Sequence, residues 1–367
     1  MQIRPAHHAG VAGSRGREGS AAGRAPWAPP IVAAVALALM LVTAVTMDLP
    51  IRDPDASLVG SPLLLILLMA SVFLIIDVVP RGIRLSRSRP DPGLIRSLSA
   101  VLRERWANRR GVIVLVALFS FYVTYLSYRN VKSYLPFVRD ELHDLGLLSF
   151  ERWLFSGTDP AEILHSVLGT GFAAHVLSFV YLAFLTFVPL SLGAALIWSS
   201  RLRVGLWYVT SLSITWILGA VSYYLIPSLG PAYVRPGLFS TLPETGVTRL
   251  QETLLESRHE VLANPQAADG VQSIAAFASL HVGIIFTAAL IAHLVGAPRP
   301  MRIALWVFLG LTWLSTVYFG WHYLVDDAAG LVIGLAAVYI GGRVTGCEWR
   351  PLLRRPPRVA QSSASAA

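Results

Sequence analysis

Eight continuous apolar runs organise the chain, at about 31–47, 58–79, 112–128, 170–198, 204–226, 275–296, 303–320 and 324–342. Each is near the roughly 20 apolar residues that a helix needs to cross a bilayer. The first and third are at the short end, and the fourth has room to tilt or to begin late. The runs are continuous rather than alternating, and in lipid only helices and closed barrels satisfy their own backbone polar groups. The predicted fold class is therefore all-α, a polytopic membrane helix bundle of about eight transmembrane helices.

The polar intervals divide the chain further. Residues 1–30 are rich in Gly, Ala and Arg and read as a flexible tail without a signal-peptide core. Residues 31–79 form a two-helix N-terminal membrane appendage, 80–111 a basic connection containing a surface helix over 91–108, 112–346 a six-helix core, and 347–367 a second flexible tail. The interval 227–274 contains LQETLLESRHEVL, a short amphipathic helix expected to lie on the membrane. There is no internal repeat.

Composition agrees with lipid as the main solvent. Hydrophobic residues make up 54% of the 367 and charged residues only 14%, against roughly 25% charged in soluble domains. One cysteine, Cys347, excludes a disulfide framework and a multi-thiolate metal site. The net charge of +9 invites a nucleic-acid reading, but the charges are distributed as topology signals. With the N-terminus in the cytoplasm, 22 of the 30 Lys and Arg fall in cytoplasmic segments and 14 of the 21 Asp and Glu fall outside. That bias predicts both termini cytoplasmic, in a cell (plasma) membrane. The run from Arg81 to Arg110 then reads as topogenic charge with affinity for anionic headgroups, and no nucleic-acid partner is expected.

Two polar clusters interrupt the bundle, and this topology puts both at its outer face. SIAAFASLHVGIIF carries Ser273, Ser279 and His281 into the sixth span; STVYFGWHYLVDDAAG carries Ser315, His322, Asp326 and Asp327 between the seventh and eighth. Charged groups within spans cost about 2.5–3.5 kcal/mol on insertion scales, so they are kept for a purpose. His322 and Asp326 are four apart, one helical turn on one face. Asp326 can then orient one ring nitrogen and leave the other as a nucleophile, the logic of catalytic triads. His281 is the candidate general acid. A metal held by His281, His322 and Asp326 is the weaker use of the same residues, so no metal and no cofactor are expected. His143, His165, His175, His259 and His293 lack such a partner pattern and read as structural. Trp321 and Tyr323, flanking His322, read as an interfacial aromatic belt.

Together the clusters resemble the type-2 phosphatidic acid phosphatase superfamily, and within it the branch containing inositol phosphorylceramide synthase. The family motifs are Lys, six residues, Arg-Pro; Pro-Ser-Gly-His; and Ser-Arg, five residues, His, three residues, Asp. The third is kept here at Ser315, His322 and Asp326, the second at Ser279 and His281, and the first at Arg235 and Pro236. The departures are Ser228 for the motif-one Lys, Thr316 for the motif-three Arg, and Ala278 and Leu280 for the Pro and Gly of motif two. Two phosphate-clamping cations are therefore missing, and Arg129 and Lys132 at the end of the third span are candidate replacements.

The resemblance implies catalysis by His322, Asp326 and His281, with Arg235, Ser279, Arg129 and Lys132 binding phosphate. It implies a metal-independent, two-step phosphoryl transfer through a phosphohistidine, from a lipid phosphate to water or an alcohol acceptor. A non-catalytic lipid-binding or lipid-translocating protein that keeps the site is the competing reading. A coupled transporter would need polar groups near the bilayer midplane, which the spans lack.

Overall fold

The computed structural model describes residues 25–53, 62–88, 93–106, 109–198, 201–268 and 270–347. Most of both expected tails therefore lies outside the described residues, as do residues 54–61. Among the described residues, twelve α-helices of nine residues or more frame the molecule: α1 (Ala28–Thr46), α2 (Pro62–Ser88), α3 (Leu94–Trp106), α4 (Arg110–Val138), α5 (Asp144–Leu154), α6 (Pro160–Leu168), α7 (Phe172–Gly193), α8 (Leu202–Leu225), α9 (Gly246–Ala263), α10 (Leu280–Leu294), α11 (Arg299–Tyr318) and α12 (Leu324–Thr345). No strand occurs among the described residues.

Six of these helices, α1, α4, α7, α8, α11 and α12, are long and apolar enough to cross a membrane. The other two expected spans are also helical. Helix α10 is shorter, at 15 residues, and α2 continues past Pro80 into the basic connection, where α3 supplies the expected surface helix. The chain is an all-α polytopic membrane bundle.

Helix α8 is the axis. It is buried on nearly every side, as a helix apolar all round must be, and packs on α12, α4, α10 and α1. Small residues set the closest crossing, between α10 and α12. A Cβ at Gly330 would come within 2.3 Å of the Ser279 carbonyl, and one at Gly334 within 2.8 Å of the Gly283 carbonyl. Only glycine lets these backbones meet, and the crossing lies just below His281 and Asp326.

Helix α1 packs along α4 through Ala33, Ala36, Met40 and Ala44. The link after it is fastened to the same helix. Asn130 Oδ1 accepts from Arg52 N (2.9 Å), Asn130 Nδ2 donates to Arg52 O (2.7 Å), and Tyr134 OH donates to Pro50 O (3.0 Å). At about 1.5 Å per residue α4 is roughly 44 Å long, well over a hydrocarbon thickness of about 30 Å. Its last turns consequently stand among the loops at one end of the bundle, with α5, α6 and α9. The amphipathic segment in the 227–274 interval folds as α9, whose first turn is closed by reciprocal bonds between Thr245 and Thr248. The other end is held by buried Asp77 of α2, which accepts from Arg81, from Arg105 Nε (2.8 Å) and from Trp106 Nε1 (3.1 Å).

Candidate functional site

At the loop-rich end, three side chains form one line. His322 lies in the turn between α11 and α12, Asp326 in the first turn of α12, and His281 in the first turn of α10. Asp326 Oδ2 is 3.6 Å from His322 Nδ1, and His322 Nε2 is 3.3 Å from His281 Nδ1. The same Asp326 oxygen accepts from Tyr323 N at 2.9 Å, which fixes the carboxylate in the first turn of α12. The spacing of four in the sequence thus becomes a side-on carboxylate and imidazole, and the Gly330/Gly334 crossing brings His281 to the opposite nitrogen. His322 is 5% exposed and Asp326 fully buried. Burial, helped by the nearby Lys132 ammonium, pushes the His322 imidazole down to about 3 against a smaller opposing effect of the Ala276 carbonyl. The ring is neutral at ordinary pH, with a lone pair available on one nitrogen.

A cavity of about 660 Å³ opens beside the two histidines. Arg129, Lys132, His281, Trp321 and His322 line it at the loop-rich end, and Tyr128, Tyr181, Phe184, Trp216 and Tyr223 form aromatic walls. It continues between α4 and the antiparallel α7 to Leu118, Leu185, Val188 and Leu192. From Lys132 to Leu118 is 14 residues of α4, roughly 21 Å of helix. Lys132 Nζ stands 4.8 Å over the Tyr223 ring, and the Arg129 guanidinium 5.9 Å over Tyr125, with its Nε buried and without a hydrogen bond. Neither cation is paired with a carboxylate among the described residues.

The remaining expected site residues lie elsewhere. Arg235 does not line the cavity: its guanidinium is paired with Asp159, which also holds Arg152 Nε at 3.2 Å. Ser279 is the N-cap of α10, accepting from Val282 N (3.5 Å) and bonding Asp327, so its hydroxyl is engaged in holding the helix start. The two positions where the family cations are missing are also structural. Ser228 Oγ accepts from Phe277 N (3.0 Å), and Thr316 donates to Asp327 Oδ2 (3.0 Å). The belt reading of Trp321 and Tyr323 is corrected by their burial. Trp321 stacks on Tyr181, with ring centroids 5.2 Å apart, and Tyr323 is fully buried with its hydroxyl on Asp144 (3.0 Å). His165 bonds the Tyr318 carbonyl (2.8 Å), the structural role expected of it. No group of three or more His, Cys, Asp or Glu among the described residues is placed to hold a metal ion.

Sequence reasoning missed the aromatic walls, whose members come from three helices, and the two carboxylates of α5 discussed below. Only the latter left a signal, as acidic residues seven apart on a mostly apolar helix.

Comparison with known proteins agrees with this geometry at the level of family. No curated protein matches the chain, and no solved structure does. The sequence profile of the PAP2 superfamily matches residues 145–340, more than half of the chain and the part that contains both histidines and Asp326. The chain therefore belongs to the PAP2 superfamily, whose members are phosphatases and phosphotransferases.

Proposed function

We propose that this protein is a membrane lipid-phosphate phosphatase or phosphotransferase working through a phosphohistidine. The observation that carries the reading is the cavity. One end gathers two histidines and two unpaired cations, and the rest is an apolar passage roughly two-thirds as long as the bilayer hydrocarbon is thick. A phosphate headgroup fits the first part and a hydrocarbon chain the second.

In the first step His322 Nε2 attacks phosphorus, forming the N–P bond while the bond from phosphorus to the leaving oxygen breaks. His281 gives that oxygen its proton. Asp326, beside Nδ1, holds the ring orientation and stabilises the positive charge that the ring acquires. Lys132 and Arg129 balance the charge on the transferring phosphoryl group, which is where such reactions need most help. In the second step water or an alcohol attacks phosphorus, its proton passes to His281, and the N–P bond breaks. The cations missing from motifs one and three are thereby replaced from α4. The branch resembling inositol phosphorylceramide synthase favours an alcohol acceptor. The excess of Lys and Arg in the opposite segments supports an outer-face site in the plasma membrane with both termini cytoplasmic.

The test is turnover by the purified protein in detergent with EDTA, on phosphatidic acid, isoprenoid phosphates and phosphatidylinositol with added alcohols. Activity that disappears in His322→Ala supports the reading, and the product names the acceptor. Turnover unchanged in His322→Ala would remove His322 as the nucleophile, and turnover absent throughout would move the assignment to a lipid-binding protein.

A further inference from the structure

Helix α5 carries its polarity reversed for a helix against a membrane protein's surface. Leu145, Phe150, Trp153 and Leu154 are exposed, whereas Asp144 and Glu151 are each 3% exposed and face the protein. Residues seven apart lie on one helical face, so both carboxylates point at the same neighbour. Burying two carboxylates is costly unless each is hydrogen-bonded.

Their partners are specific. Asp144 accepts from Leu229 N (3.0 Å), Gly230 N (2.9 Å) and Tyr323 OH (3.0 Å). Glu151 accepts from Leu324 N, one of the free amides at the start of α12. The two residues that follow His322 are therefore each held by one α5 carboxylate. Asp144 also ties this turn to the 228–230 loop, where Gly230 lies against the Trp321 backbone with a φ of +102°. Beyond the Ala276 carbonyl and His281, the His322 ring is placed by the segment on which it is mounted.

We propose that α5 is a positioning element for phosphoryl transfer, in which Asp144 and Glu151 hold the His322–Asp326 turn in register with His281. This rests on the reading of His322 as the nucleophile. Displacing a reacting group by about 1 Å costs on the order of 100-fold in rate, so a brace on the nucleophile's own turn acts on kcat. It leaves KM nearly alone, because most of the apolar passage is walled by α4, α7 and α8, which α5 does not hold.

The test measures kcat and KM of full-length Asp144→Asn, Glu151→Gln and Tyr323→Phe, with Trp153→Ala on the exposed face of α5 and His322→Ala as controls. Asp144→Asn and Glu151→Gln are expected to lose about 10- to 100-fold in kcat with KM changed less than about threefold. Tyr323→Phe removes the Asp144 contact from its other side, so its loss and that of Asp144→Asn should be less than multiplicative in the double variant. Trp153→Ala should behave as wild type. Unchanged kcat in the folded α5 variants, a loss confined to KM, or fully multiplicative losses would overturn the proposal. Should both α5 variants fail to fold, Tyr323→Phe alone decides: a normal kcat sinks the brace. Turnover that survives His322→Ala removes the nucleophile and the brace together. A dead His322→Ala beside unaffected Asp144→Asn, Glu151→Gln and Tyr323→Phe sinks the brace alone.

Discussion

The two ends of the bundle use buried charge differently. At one end Asp77 is surrounded by Arg81, Arg105 and Trp106, and each of its oxygens has a donor. At the other, Arg129 and Lys132 lie against aromatic faces beside a cavity, without a carboxylate among the described residues to neutralise them. A closed cluster of charges fixes helices to one another, here α2 and α3 to the bundle. Cations left open toward a cavity stabilise the bundle poorly and are suited to an anion brought from outside. Both ends carry buried or half-buried basic side chains, and the arrangement of partners separates scaffold from site.

Substitutions can break that comparison. The largest expected effect is at Lys132: Lys132→Ala should cut turnover by about 100- to 1000-fold, the usual result of removing one transition-state charge partner, with little change in thermal stability. Asp77→Asn should do the reverse, costing about 3–5 kcal/mol of stability by unpairing a buried cluster while turnover per folded molecule holds. A Lys132→Ala protein that is fully active but unstable would erase the distinction. A smaller effect is expected at the apolar end of the cavity. Leu192→Trp should slow long-chain lipid phosphates by about tenfold, a loss on the scale of contacts in an apolar pocket, while short-chain ones are turned over as before. Equal slowing of both would place the chain elsewhere.

The smallest effect concerns stability. Burial raises the Glu151 carboxyl to about 7, against the opposing hydrogen bond from Leu324 N, and Asp326 and Asp159 add to the rise. Tyr323 also faces it, and Asp159 is itself held by Arg152 and Arg235. A folded-state value above the ordinary 4.5 means that the protonated form is the one the fold favours. The contribution is complete below about 4.5 and is lost as pH rises through about 7. Melting temperature should therefore decline between about pH 5 and 7 in the wild type, flatten above that, and decline less in Glu151→Gln; identical slopes would contradict the assignment.

Much of this was legible before the fold was known. Helices in lipid announce themselves by length and apolarity, and His322 and Asp326 are four apart in sequence, close enough for the turn leading into α12 to bring them together. His281, 41 residues away, required the Gly330 and Gly334 crossing, whose meaning depends on which helix is the neighbour. Motif spacing says nothing of Asp159, the partner from another loop with which Arg235 pairs outside the cavity lining. Trp321 and Tyr323 looked interfacial because aromatic residues at a span end usually are, whereas here the chain turns inward and buries them. The α5 carboxylates were passed over for the same reason, since a short amphipathic segment does not reveal which face meets the protein.

The most direct test of the central claim is a rapid-quench reaction of the purified protein with a lipid phosphate labelled on phosphorus, followed by peptide mapping. The account predicts an acid-labile, alkali-stable phosphoryl label on His322, formed and discharged as fast as turnover, and absent from His322→Ala. Label on another residue, or turnover by the wild type with no protein-bound label at any time, would contradict it.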